Sequence, residues 1–145
     1  MTVSTPRLLV HPSANVLSDA ERAECLHHLS FGRTFSDHMV LIHYRDGAWQ
    51  QGEIKAYGPL SLDPAASVLH YGQAIFEGFK AFAQPDGGIK TFRPEANGER
   101  FNRSAARLAM PAIPVELFMT AADARSAWTA PGCRKTSAKA CTCAP

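Results

Sequence analysis

Two short stretches most limit how this chain can fold. "HMVLIHYRDGAWQQGEI" (38–54) sets Asp46-Gly47 between two runs rich in β-branched and aromatic residues, and "FKAFAQPDGGIKTFR" (79–93) sets Pro85-Asp86-Gly87-Gly88 between two more. Asp-Gly tolerates the left-handed backbone of a tight hairpin turn, so each stretch predicts two antiparallel strands. The flanks read as helices. Ser18 followed by Glu21 is a capping-box signature, and it predicts a short helix over 18–28 with a weak inner face of Ala20, Cys25 and Leu26. Pro94 suits the first turn of a second helix. There Phe101, Ala105, Leu108 and Ala109 recur at helical spacing as an apolar face, and Arg100, Arg103 and Arg107 share the neighbouring face. Pro111 is expected to end that helix, and "PVELFMTAADA" (114–124) opens a third. "GPLSLDPAASVL" (58–69) reads as a connection. The expected fold is α+β: a small antiparallel sheet with flanking helices.

Past Ala124 the pattern dissolves. "RSAWTAPGCRKTSAKACTCAP" repeats its apolar residues at neither the strand nor the helix period, and it is expected to lack regular structure. The charge divides at the same point. Up to Ala124, 11 Lys and Arg stand against 13 Asp and Glu; beyond it come Arg125, Arg134, Lys135 and Lys139 with no acid. The body is therefore mildly acidic and gives no reason to expect a nucleic-acid partner. Cys25 stands alone in the body, while Cys133, Cys141 and Cys143 crowd the tail at a spacing that fits no common zinc pattern, so no metal site is expected. With 145 residues, 46% hydrophobic and 19% charged, the chain reads as one soluble domain over 1–124 followed by an unstructured 125–145. No run of apolar residues is long enough for a membrane span, and the first residues lack a signal-peptide pattern, so a cytoplasmic location is expected.

"FGRTFSDHM" (31–39), "LHYGQAIFEGFKAF" (69–82) and "FRPEANGERFNRSAARLAMP" (92–111) occur in this order. Together they resemble branched-chain amino acid aminotransferases, pyridoxal-phosphate enzymes of the fold type IV class. The resemblance runs from about Leu17 to Ala124 and covers the family's small N-terminal domain. Phe-Glu-Gly-Phe-Lys-Ala-Phe after His-Tyr-Gly favours this branch over D-amino-acid aminotransferases and aminodeoxychorismate lyase, which stay as alternatives. The resemblance implies pyridoxal 5′-phosphate as cofactor and transfer of the amino group of leucine, isoleucine or valine to 2-oxoglutarate. It also implies a homodimer or higher homo-oligomer. It makes Tyr71 and Phe76, with Phe31 as a third wall, the lining of a pocket for an aliphatic side chain, which a site can select only by shape and apolar contact. Read from the residues alone, all three are equally core aromatics of a small sheet. Arg100 matches the family arginine that contacts the cofactor phosphate, a role suited to a planar, permanently charged fork. Without the resemblance it is one of three arginines on a solvated helix face.

The resemblance places the Schiff-base lysine in the family's large C-terminal domain. Lys80 matches a different position, and Lys55, Lys90, Lys135 and Lys139 have no supporting motif, so no catalytic residue is assigned and these 145 residues are expected to be inactive alone. The tail has a possible origin in the genetic code. Written in GC-rich codons and read from the third base of the Gly132 codon, residues 132–145 can spell Val-Pro-Glu-Asp-Gln-Arg-Glu-Ser-Leu-Tyr-Leu-Arg-Pro, which resembles the next segment of the family. A frameshift near Arg125 accounts for the basic tail, the cysteine cluster and the loss of helical pattern. A reading of a different kind is a non-catalytic small domain that binds a partner through exposed aromatics.

Overall fold

The computed structural model describes residues 8–28, 33–86, 88–133 and 140–143. Phe31 lies outside them. The architecture is α+β, with strands in three small groups and four helices among the described residues.

The Asp46-Gly47 signal is met by a two-stranded hairpin, and the strands around it in sequence form a separate three-stranded group with one parallel pairing where an antiparallel sheet was expected. Strands β1 (Leu9–Val10), β2 (His38–Leu41), β3 (Tyr44–Arg45), β4 (Ala48–Trp49) and β5 (Glu53–Ala56) follow in chain order around helix α1 (Asp19–His27). Asp46 (φ 53°) and Gly47 (φ 77°) both adopt the left-handed region, the conformation of a tight I′ turn between β3 and β4. β2 pairs antiparallel with β5 in the register His38 to Ala56, and β1 adds to the other edge of β5 in parallel. Gly52 is required where β1 crosses: a Cβ there would meet the Leu8 side chain at 2.5 Å and Ile42 at 2.7 Å. The capping box of α1 is present in full, with Ser18 Oγ accepting from the Glu21 amide and the Glu21 carboxylate accepting from the Ser18 amide. Arg22 on α1 pairs with Asp37 at 3.0 Å and ties the helix to the start of β2.

The third group is built on β6 (Phe79–Ala83) and β7 (Ile89–Thr91), antiparallel as the Pro-Asp-Gly-Gly signal predicts. Asp86 accepts the Gly88 amide at 2.8 Å and holds the turn. Helix α3 (Pro94–Arg107) starts at Pro94 as expected, and α4 (Val115–Cys133) follows. The core sits where β6, α3 and α4 meet. Phe118 of α4 lies against Phe79 (ring centroids 6.0 Å apart) and Phe101 (5.8 Å), with Ala81, Ala105 and Leu117 buried beside them.

Four further expectations need correction. Helix α3 ends at Arg107, four residues before Pro111. A Schellman-type cap terminates it: the Met110 amide donates to Ala105 O (2.9 Å) and the Ala109 amide to Ala106 O (3.2 Å), with Ala109 left-handed at φ 52°. Leu108 and Ala109 therefore lie past the helix and do not extend its buried face; Leu108 is exposed. The supposed connection before the motif contains helix α2 (Ser67–Tyr71), one turn that buries no residue and stops at left-handed Gly72. A turn that buries nothing leaves no apolar period to read. Finally, the described part of the tail, residues 125–133 and 140–143, carries regular structure. α4 runs on through residue 133, because elongation needs backbone hydrogen bonds and no breaker precedes Pro131. Strand β8 (Ala140–Cys143) pairs antiparallel with β6, whose open edge accepts backbone partners whatever their side chains.

Candidate functional site

The site grows from one glutamate in an apolar loop. Glu77 lies between α2 and β6 and is 5% exposed. A carboxylate so buried must be paired or hydrogen-bonded. Three partners reach it. The Gly78 amide donates to Oε1 at 3.0 Å, Asn97 Nδ2 to Oε1 at 2.9 Å, and the Arg100 guanidinium grips both oxygens, Nε to Oε2 at 2.6 Å and Nη2 to Oε1. The hydrogen bonds from Arg100 are the main reason the carboxyl titrates at about 2, with burial opposing and Asn97 and Gly78 assisting. The same contacts raise the pKa of Arg100. Asn97 and Arg100 are three apart on α3, so one face of the helix presents both to the loop.

That face continues outward as a cationic cleft. Ile75, Arg100, Arg103, Ser104, Arg107 and Leu108 line a hollow of about 460 Å³. Arg103 and Arg107 have no carboxylate within ion-pair distance among the described residues. The grouping of the three arginines read from the sequence is therefore real, and the cleft distinguishes them: Arg100 is anchored by an acid, and among the described residues the other two are not. The Arg100 side chain is still 58% exposed, so one end of its fork stays open to solvent. This donor set suits a doubly charged phosphate, which takes bidentate hydrogen bonds from guanidinium groups.

The aromatic candidates are placed differently. Tyr71 ends α2 at 85% exposure, and Phe76, beside Glu77, is 61% exposed. Neither is buried in this chain's core. Gln73, between them, donates to Leu108 O at 2.8 Å and pins this loop to the end of α3. Of the lysines, Lys80 stands exposed on β6, Lys90 is exposed on β7 and Lys55 pairs with Glu53 at 3.6 Å; none lines the cleft. Glu77 and Asn97 were not singled out from the sequence. The available signal was a lone acid inside "AIFEGF", where burial of a charge demands a partner.

Among the described residues no group of His, Cys, Asp and Glu could hold a metal, and no helix is long and apolar enough to cross a membrane. No protein-family model matches the chain. Its relatives among well-described proteins are nevertheless consistent. It is 54% identical to the "Probable branched-chain-amino-acid aminotransferase" of Streptomyces coelicolor over 123 residues, which is 84% of this chain and 34% of that protein. It is 49% identical to the branched-chain-amino-acid aminotransferase of Mycolicibacterium smegmatis over 76% of this chain and 30% of that one. Against the Mycobacterium tuberculosis enzyme of the same name the identity is 42%, over 82% of this chain and 33% of that one. An α+β chain with an anchored arginine over a cationic cleft is thus homologous to aminotransferases. In particular, most of its length matches the N-terminal portion of branched-chain-amino-acid aminotransferases. The chain spans about a third of the length of the curated relatives it matches.

Proposed function

We propose that this chain forms the small N-terminal domain of a fold type IV, pyridoxal-phosphate-dependent branched-chain amino acid aminotransferase. The observation that carries the reading is the anchored Arg100 at the mouth of a cationic cleft, next to the loop that carries Tyr71 and Phe76. Arg100, with Arg103 and Arg107 close by, would hold the cofactor phosphate. Bound there, the cofactor supplies the electron sink for moving an amino group from leucine, isoleucine or valine to 2-oxoglutarate. The chain's own residues do the rest of the work assigned to this domain. The open end of the Arg100 fork fixes the phosphate, and Glu77 keeps that fork from swinging away. Tyr71 and Phe76, with Phe31, present apolar walls that exclude water and accept an aliphatic side chain by shape. The high exposure of Tyr71 and Phe76 supports this reading, because large exposed aromatic side chains mark surfaces that something else covers.

The boundary after Ala124 and the out-of-frame origin of 125–145 belong to the same proposal, with α4 crossing that boundary. The family resemblance places the Schiff-base lysine in the large C-terminal domain, so on this reading these 145 residues alone carry no transaminase activity. Association into a homodimer or higher homo-oligomer follows from the same family reading, and a cytoplasmic location is carried with it as the expectation from the sequence.

The test is a chimera joining residues 1–124 to the remaining length of the Streptomyces coelicolor relative, assayed beside the 145-residue chain. The chimera should transaminate leucine, isoleucine and valine, and the short chain should not. Phe76→Ala in the chimera should lower kcat/KM for leucine and isoleucine by about tenfold or more, the worth of a lost apolar contact, and change the value for glutamate far less. Equal losses for both substrate classes would reduce Phe76 to a structural residue. An inactive chimera that folds and binds no cofactor would remove the functional reading.

A further inference from the structure

We propose that Glu77 is a positioning residue for the phosphate site, holding one edge of the Arg100 guanidinium so that its opposite end faces the cleft. The inference rests on the reading of the cleft as a phosphate site and adds a residue to it. An arginine head carries five N–H donors in a rigid plane. Glu77 takes the Nε donor at 2.6 Å and one from Nη2, which leaves both Nη1 hydrogens and one on Nη2. One hydrogen on each Nη points out from the end of the fork away from Glu77, and such an end pair can bind two phosphate oxygens at once. Glu77 is itself fixed. It is 5% exposed, and Asn97 and the Gly78 amide hold Oε1 from two further directions, so the carboxylate cannot follow the arginine outward.

Arg103 and Arg107 supply the contrast. They share the cleft but have no acid beneath them, so each must give up the rotamer freedom of a long side chain to bind an anion. Arg100 is already held in one orientation by Glu77. The arrangement also sets two effects against each other. Glu77 pre-orients the arginine, which favours anion binding, and it places a negative charge nearby, which opposes it. The geometry decides for orientation: the carboxylate is on the protein side of the guanidinium, its charge is shared with three hydrogen-bond donors, and the two unpaired arginines outweigh it in the cleft.

The experiment uses the 145-residue chain labelled with nitrogen-15, inorganic phosphate as the probe, and the arginine Nε–H signals as the readout. In the wild type the Arg100 Nε–H signal should exchange slowly with water before phosphate is added, stay slow at saturation, and shift along a saturable curve. Glu77→Ala should weaken phosphate binding about tenfold, the worth of one well-placed charge-assisted contact. Glu77→Gln, which keeps an acceptor and removes the charge, should recover most of that loss. Phosphate binding as tight as or tighter than wild type in Glu77→Ala would overturn the proposal, since nearby charge would then outweigh orientation. So would rapid Nε–H exchange on adding phosphate to the wild type, which would mean that Arg100 leaves Glu77 to bind; this arm decides the matter even if Glu77→Ala fails to fold. If Arg100 does not respond to phosphate in the wild type while Arg103 and Arg107 do, the phosphate reading of Arg100 fails first and takes the proposal with it.

Discussion

Helix α3 and the segment 60–76 are joined by Gln73, which donates to Leu108 O, yet they treat apolar surface in opposite ways. α3 is packed closely. Ala105 is buried, and Gly98 lets α4 approach so near that a Cβ would stand 3.1 Å from the Phe118 ring. Asn102 uses both ends of its amide on the linker to α4, donating to Ile113 O and accepting from the Ile113 amide, each at 2.8 Å. The segment 60–76 leaves Leu60, Leu62, Leu69, Tyr71 and Phe76 exposed, and α2 buries nothing. It is held by polar contacts, such as His70 Nε2 with Pro64 O at 2.6 Å. One region is stabilised by what it buries. The other leaves large apolar side chains exposed. Mutations in the two regions should therefore differ in kind.

The largest effect is expected at Asn102. Asn102→Ala leaves both polar backbone groups of partly buried Ile113 unpaired and removes the clamp between α3 and α4. The cost should be about 2–3 kcal/mol, read as a lower urea midpoint with an unchanged slope. A loss below half of that would mean that water replaces the amide and the junction is looser than its geometry.

Glu77 links the two regions, and its acid titration sharpens the comparison. Its folded pKa of about 2 is below the ordinary 4.5. The folded state therefore binds this proton less readily than the unfolded chain. The stabilisation from Glu77 is fully present above pH 4.5 and is lost as the pH falls through 2. Thermal melts between those limits should fall more steeply for the wild type than for Glu77→Gln, and the two should converge near the acid end. Parallel curves would mean that the carboxylate gains little from Arg100. Glu77→Ala at neutral pH should cost about 2 kcal/mol through lost hydrogen bonds and a small cavity.

A gain is expected at the end of α3. Ala109 holds the left-handed position of the helix cap, where a Cβ is unfavourable and glycine is the usual residue. Ala109→Gly should raise stability by about 0.5–1 kcal/mol, since relief of strain exceeds the added freedom of the unfolded chain. A neutral or negative result would show that the Ala109 methyl makes a contact that offsets its backbone strain.

How much of this was legible follows from which physical signals are local. The two hairpins, the capping box at Ser18 and the start of α3 at Pro94 are short-range chemistry, and all four stand as read. The end of α3 was misread because Pro111 is a strong breaker in sequence, while the true stop is a backbone cap at Ala109 that an alanine does not advertise. α2 was missed because one turn buries nothing. Within the site, Arg100 was distinguished from Arg103 and Arg107 by resemblance alone. The structure supplies the physical distinction, a buried acid 23 residues earlier in the chain, and such a partnership has no local signature.

The smallest stability effect is expected where the family resemblance is strongest. Tyr71→Ser and Phe76→Ser each remove a large aromatic, a change that in a packed core costs several kcal/mol. Here Tyr71 is 85% and Phe76 61% exposed, so no sealed cavity is left behind. Exchanging an exposed aromatic for a small polar residue also spares the solvent an apolar surface. Each variant should therefore melt within about 0.5 kcal/mol of the wild type, as surface substitutions do. Phe101→Ser is the matched control from the other region, because its ring packs on Phe118 in the core, and it should destabilise strongly. The same Tyr71 and Phe76 substitutions, placed in the chimera, should impair turnover of branched substrates. A residue that is silent in stability and costly in activity is held for its contact with a ligand. If Tyr71→Ser or Phe76→Ser destabilises the 145-residue chain as much as Phe101→Ser does, the contrast between the two regions fails, and these aromatics belong to the fold after all.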